Sequence, residues 1–318
     1  MLARPALKIE VGCLDPLVAR KLVLQIVFHI GPHKTGTTSI QSYLLDKIGS
    51  VHPVNVWYPN LKCSQPGHAE LASDWMEQDA QMLRDLIARA VSADVKQLII
   101  SAEDFDYLYN VCNDRQEVLT DILAPLDVHL VLTMNSLVRR AASTWQEAVK
   151  HGHEGLLEEA TAFVLDTPGF RPDFVNVALR VLSPARTTVI VASPGQPPAK
   201  LIGDFCEAIG QPLPAAADET PVANVRLFKN EADLLQMMNK VVNKLELSAS
   251  DKSTLRMAVV HGLVLTRVKG VDYPTIVTPD QMNEAAKTAA LEMIDAIGQL
   301  CATKMVAVVG DLNSLASD

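Results

Sequence analysis

A chain of 318 residues has room for one large domain or two small ones, and with 48% hydrophobic and 20% charged residues it can bury a sizeable core. A formal net charge of −9 and a pI near 5.4 argue against a surface that coats a polyanion, so neither DNA nor RNA is an expected partner, while a basic pocket for one small anion is untouched by that sum. The cysteines (Cys13, Cys63, Cys112, Cys206 and Cys301) are odd in number and never form a CxxC pair, which suggests neither a disulfide framework nor a zinc site and points to a reduced, cytoplasmic compartment.

Residues 1–20 carry no clear signal and read as an arm ahead of a single domain over residues 21–318. The first apolar run, residues 22–30, contains Gln25 and His29 and leads straight into a glycine turn, so it reads as a buried strand and not as a signal peptide. No run reaches the roughly 18 apolar residues of a membrane-spanning helix. A helix follows over residues 37–48, with Ile40, Leu44 and Ile48 on one stripe. Another helical pattern covers 74–91. Further strand-length apolar runs occur at 95–101, 128–133 and 187–192, with helical patterns at 136–151 and 199–209 after the last two. Residues 194–221, rich in Pro, Ala and Gly, read as one helix and a loop. Helices are expected at 230–247 and 251–268, and Thr278-Pro279-Asp280-Gln281 is a capping-box start for one more toward residue 302. The alternation predicts an α/β fold: a parallel β-sheet flanked by helices, with a helical C-terminal extension over about 230–318.

The chemistry concentrates where the first strand meets the first helix. Gly31-Pro32-His33-Lys34-Thr35-Gly36-Thr37-Thr38-Ser39 places a glycine-bounded turn at a helix N-terminus, where backbone N–H groups and the helix dipole favour an anion. Lys34 adds a full charge, and Thr35, Thr37, Thr38 and Ser39 add hydroxyls. Gly31 and Gly36 have the spacing of the nucleotide-triphosphate loop G-x-x-x-x-G-K-[ST], but Thr37-Thr38 follows and the lysine lies inside the loop. No apolar strand ends in an Asp suited to Mg²⁺. The pattern favours a less charged group with no metal over a metal-bound triphosphate.

The segment His33-Lys34-Thr35-Gly36-Thr37-Thr38-Ser39 resembles the 5′-phosphosulfate loop of sulfotransferases that use 3′-phosphoadenosine 5′-phosphosulfate (PAPS). Ile30-Gly31-Pro32-His33-Lys34, with Gln41 shortly after, resembles a bacterial branch of that family. The resemblance covers most of residues 22–240, with only this loop highly specific. It implies a P-loop NTPase-like sulfotransferase fold. It implies that Lys34 contacts the bridging oxygen between phosphate and sulfate, and that Thr35, Gly36, Thr37 and Thr38, with Ser39 beside them, cradle the 5′-phosphate.

The family holds the 3′-phosphate with an Arg at a strand end and a Ser eight residues later. Here Asn135 stands in the arginine's place, Ser143 lies eight residues on, and Ser143-Thr144-Trp145-Gln146 resembles the family's helix. Arg139 and Arg140 are candidates for the missing charge, with a solvated face as the alternative. Asn224-Val225-Arg226-Leu227, followed by Leu235-Gln236-Met237-Met238-Asn239, resembles a third anchor in which Arg226 or Lys229 closes over that phosphate. Ser193-Pro194-Gly195 departs from the Tyr-Glu common in relatives. Ser101-Ala102-Glu103 resembles a Ser-x-Glu step of the same branch, which implies Glu103 as the base; His33 and His68 are the rivals, and a strand-end cap is the alternative for Glu103.

The expected function is a cytoplasmic transferase moving a sulfuryl group from PAPS to a hydroxyl of a glycan, lipid or other small molecule, releasing 3′-phosphoadenosine 5′-phosphate. A catalytically lapsed nucleotide-binding protein on the same fold, or a P-loop kinase, are the alternatives. The sequence names no acceptor, and a homo-oligomer stays open.

Overall fold

The computed structural model describes residues 24–32, 34–48, 55–61, 66–77, 80–103, 105, 113–155, 171, 173–193, 196–212, 227–265, 267, 280–303 and 306–316. The strands are β1 (Gln25–Ile30), β2 (Val56–Trp57), β3 (Gln97–Ala102), β4 (Asp127–Met134), β5 (Arg186–Val191) and β6 (Val306–Val309). They form one six-stranded sheet in the order β2-β3-β1-β4-β5-β6, and every pairing is parallel. Parallel strands are covered on both faces, which is why β1, β3 and β4 are buried almost throughout and apolar at most positions, with Gln25, His29, Gln97, Ser101, Asp127, His129 and Thr133 at the rest.

The helices are α1 (Thr37–Lys47), α2 (Ala69–Glu77), α3 (Gln81–Ser92), α4 (Asn113–Leu123), α5 (Leu137–Lys150), α6 (Phe174–Leu182), α7 (Pro198–Ala208), α8 (Lys229–Val242), α9 (Ala249–Leu265) and α10 (Asp280–Ala302), followed by a 3₁₀ turn (Leu312–Ala316). Side chains alternate across the sheet and divide the core in two. Ile26, Phe28 and Ile30 face the larger core, built with α3, α5, α6 and α10. Val27 faces the smaller one, where Ile40 and Leu44 of α1 meet Leu201, Ile202 and Phe205 of α7.

The four expected strands and the helices expected at 37–48, 136–151 and 199–209 lie within a few residues of β1, β3, β4, β5, α1, α5 and α7, and α/β is the observed class, while α4 and α6 were not expected. Three further points differ. The single helix expected over 74–91 is two, α2 and α3, because Ala80 turns to φ 54° and the Asp74 carboxylate accepts the Met82 N–H at 2.9 Å, opening a new helix there. The strand β2 was not expected: it has two residues, too few for a periodic signal. Its ladder is continued by His68, whose N–H donates to Ser101 O at 2.8 Å while its Nδ1 accepts the Ser101 N–H at 3.0 Å. The C-terminal part is also not purely helical, since β6 returns to pair with β5. Gly310, at φ 99°, sits so close to Val191 O that a Cβ there would overlap it. Among the described residues no helix is long and apolar enough to cross a membrane.

The chain leaves β1 outward to β2, returns to β3 on one side of β1, and crosses to β4 on the other. The direction of winding therefore reverses around β1, and the crevice beyond its carboxyl end is where open α/β sheets hold ligands. Register makes this concrete: Ile30 is level with Ala102 on β3 and with Leu132 on β4, so Gly31 and Glu103 emerge side by side, with Thr133 across from them.

Candidate functional site

The loop after β1 is shaped by two glycines with different tasks. A Cβ on Gly31 would overlap Thr37 Cγ2, lie 2.7 Å from Thr35 Oγ1 and 3.2 Å from Thr133 O, so only hydrogen fits between the loop and β4. Gly36 adopts φ 89° and ends the loop as the residue before α1. Having no side chain, it cannot cap the helix, and the first turn of α1 carries no acidic residue. Gly36 thus leaves the N-terminus of α1 without a side-chain cap.

Lys34 also takes a left-handed conformation, φ 72°, which is costly for a residue with a Cβ. Two long-range contacts hold it there. Asn135 Nδ2 donates to the Lys34 carbonyl at 2.8 Å, and the Lys34 ammonium lies 3.0 Å from Glu147 Oε2 on α5. Asn135 occupies the position where the resemblance has an arginine, and its amide is turned toward the loop after β1. Its Oδ1 is buried and accepts no hydrogen bond among the described residues, and an acceptor of that kind suits a donor group and not a phosphate oxygen.

The hydroxyls are arranged inward. Thr35, fully buried, donates to Pro32 O at 2.8 Å. Thr37 donates to Glu103 Oε1 in a short bond, and Thr38 reaches the same oxygen at 3.4 Å. Glu103 is therefore brought directly against the start of α1, as the register of β1 and β3 requires. Thr38 and Ser39 are half-buried, and Gly36 is exposed.

Beneath the loop lies a buried polar floor. His29 Nδ1 meets Ser101 Oγ and its Nε2 meets Thr133 Oγ1, both at 2.8 Å, while Gln41 Nε2 donates to Ser101 Oγ at 3.2 Å. The His29 ring packs 4.7 Å from Phe205. Burial pushes its pKa down to about 3, against a smaller upward pull from Glu103, so the ring is neutral with one donor and one acceptor nitrogen. His29 ties β1 to β3 and β4 at the level where the loop begins. His68, the rival base, is also buried: besides its Ser101 bond, its Nε2 donates to Pro59 O at 2.7 Å, and burial lowers its pKa to about 4. Both ring nitrogens are committed to holding the sheet edge. Tyr58 and Trp75 are core residues.

On the other flank, α5 follows β4 through a Ser136 cap that accepts the Arg139 N–H at 3.3 Å. Arg139 is exposed, Arg140 is buried and Ser143 is half-buried, so the adjacent arginines occupy different surroundings. Arg226 and His33 lie outside the described residues. The residue after Arg226, Leu227, is buried and donates its N–H to Gln146 Oε1 at 3.2 Å, which ties that segment to α5. Asn239, expected as part of the third anchor, grips the end of α5 by donating to Val149 O at 2.7 Å and His153 O at 3.0 Å.

The sequence reading missed Glu147. Its carboxylate accepts from Lys34 at 3.0 Å and Lys150 at 3.2 Å. Burial opposes its ionisation, but the two ammonium groups outweigh that and hold its pKa at about 2. The Glu147–Lys150 pair at i,i+3 was visible in the sequence as an ordinary helix-surface pair; its link to Lys34 was not. Comparison of the chain with protein-family models, with curated proteins and with solved structures finds no match.

Proposed function

We propose that the protein transfers a sulfuryl group from PAPS to a hydroxyl of a glycan, lipid or other small molecule, on a P-loop-like sulfotransferase scaffold. The observation that carries the reading is the meeting of Glu103 with Thr37 and Thr38 at the open end of α1, beside the Lys34 loop. A phosphate cradle and a carboxylate thereby share one crevice at the reversal of the sheet. In the proposed reaction the acceptor oxygen attacks sulfur in line, and the bond from sulfur to the bridging oxygen breaks with its electron pair left on the phosphate. Lys34 and the N–H groups at the start of α1 stabilise that charge, and Glu103 takes the acceptor proton. Ser39 lines the same turn. Arg139, Arg140, Ser143 and Arg226 are the proposed sources of a 3′-phosphate site, a role that Asn135 is badly disposed to fill.

That disposition of Asn135 favours a second reading, a protein that binds the nucleotide without turning it over. One set of measurements separates the readings. Calorimetric titration with 3′-phosphoadenosine 5′-phosphate is expected to show binding without added metal, and Glu103→Gln is expected to keep that affinity within a few-fold while lowering turnover of PAPS by about 10²- to 10⁴-fold. Binding with no turnover by the unaltered protein selects the second reading. Binding of ATP with Mg²⁺ and none of the bisphosphate would select a kinase and sink the proposal.

A further inference from the structure

Lys34 is not the only cation at its end of the crevice. The Lys150 ammonium approaches the same oxygen, Oε2 of Glu147, so two cations converge on one carboxylate oxygen at 3.0 and 3.2 Å. The side chains of Lys34 and Lys150 are 22% and 12% exposed, against 33% for Glu147, so the carboxylate is the partner with the freest path to solvent. Its second oxygen already looks outward, to the Nε2 of the exposed His151 at 3.2 Å. The backbone beneath does not share that freedom. The carbonyls at the end of α5 are held by Asn239, by Gln236 Nε2 on Glu154 O and Gly155 O at 3.1 and 2.6 Å, and by Asn243 Nδ2 on Gly152 O at 2.9 Å. Arg256 in turn donates to Asn239 Oδ1 at 3.1 Å.

Two ammonium groups fixed around one oxyanion, with that oxyanion on a flexible side chain at the edge, is an anion site with a tethered occupant. We infer that Glu147 is the resident anion of a site formed by Lys34 and Lys150, and that a phosphate or sulfate group of the ligand replaces its carboxylate there. The identity of the ligand as PAPS rests on the reading above; the exchange of one anion for another does not. Glu147 is then a positioning residue. It pairs with the Lys34 ammonium, and it competes with the ligand for the same charge. Lys150, to which the family resemblance assigns nothing, becomes a second cation for the donor.

The competition has a sign that a merely structural role lacks. Removing the carboxylate charge destabilises a simple strut but withdraws the anion that competes with a ligand for the two cations. The full chain and its Glu147→Gln, Lys150→Met and doubly substituted variants are titrated calorimetrically at fixed ionic strength with 3′-phosphoadenosine 5′-phosphate and with inorganic pyrophosphate. Glu147→Gln is expected to bind tighter by about three- to fivefold, Lys150→Met weaker by a similar factor, and the double variant to lose the gain. Should Glu147→Gln fail to fold, Glu147→Asp, with its charge kept and its reach shortened, is expected to shift affinity in the same direction by less. A folded Glu147→Gln chain, or Glu147→Asp in its place, that binds neither probe tighter than the unaltered chain overturns the inference. Tighter pyrophosphate binding by Glu147→Gln in a chain that never binds the nucleotide leaves this site standing and removes PAPS. Nucleotide binding by the unaltered chain that Glu147→Gln leaves unchanged or weakens does the reverse.

Discussion

The loop after β1 and the turn after β4 are neighbouring strand–turn–helix units with opposite endings. In the first, Gly36 leads into α1 with no side chain to cap it, Lys34 is bent to a positive φ, and a carboxylate from β3 waits at the first turn. In the second, Ser136 supplies the cap, Leu137 and Val138 are buried at once, and the helix start is closed. A helix N-terminus becomes a place for a ligand through what it lacks. Where a serine satisfies the N–H groups and apolar residues bury the turn, the dipole is spent on the protein itself. The second unit nevertheless serves the first, because Asn135 and Glu147 on either side of its helix start and end both hold Lys34.

The sharpest way to break both units together is to protonate the floor they share. His29 has a folded pKa of about 3 against an unfolded value near 6.5, so below pH 6.5 the unfolded chain binds a proton that the folded chain refuses. Stability is therefore full above pH 6.5 and falls progressively as pH drops from there toward 3, by an amount on the order of several kcal/mol. His68 and His129, each lowered to about 4 chiefly by burial, add losses of the same sign in the same window. Glu147 acts later: its contribution is present above 4.5 and is lost only as pH falls toward 2. Melting temperature should hold from pH 7.5 to about 6.5 and fall from there down to pH 4, and His29→Asn should flatten part of that slope.

A smaller effect strikes the first unit alone. Gly31→Ala puts a methyl between Thr37, Thr35 and the β4 carbonyl of Thr133, and is expected to cost about 1–3 kcal/mol in denaturant unfolding and to abolish anion binding at the loop. Retained binding with unchanged stability would show that the loop has slack the geometry does not suggest.

The smallest effects separate the units most cleanly. Ser136→Ala removes the cap on α5 and should cost about 1 kcal/mol in urea unfolding while leaving anion affinity nearly intact. Asn135→Ala, one residue away, removes the bond to the Lys34 carbonyl and should cost a similar amount, but with a clear loss of anion affinity because Lys34 is no longer held at φ 72°. Equal ligand effects from the two substitutions would erase the distinction drawn here.

Much of this was readable from local pattern. Residues 23–30, 95–101, 128–133 and 187–192 announced β1, β3, β4 and β5, because a strand buried on both faces is mostly apolar, and its few polar residues pair within the core as His29, Ser101 and Thr133 do. The loop was legible because glycine spacing and a helix start are properties of neighbours in the chain. The edges were not: β2 has two residues, and its continuation is a histidine side chain. The break between α2 and α3 was hidden because Asp74 reads as a solvated helix residue until its partner, the Met82 N–H, is seen.

The divide follows from the range of the forces. Sequence alone determined that this chain makes a parallel α/β sheet and that a glycine-bounded turn joins its first strand to its first helix, since both depend on burial periodicity and on glycine at set positions. Tertiary structure alone decided what the turn is wired to. Glu103 reaches Thr37 only because β3 pairs level with β1, and Asn135 turns to the Lys34 carbonyl only because β4 runs past it on the other side. Glu147 meets Lys34 only because α5 is clamped at its far end by α8. Such contacts are set by strand register and helix packing between segments distant in the chain, and no residue spacing encodes them.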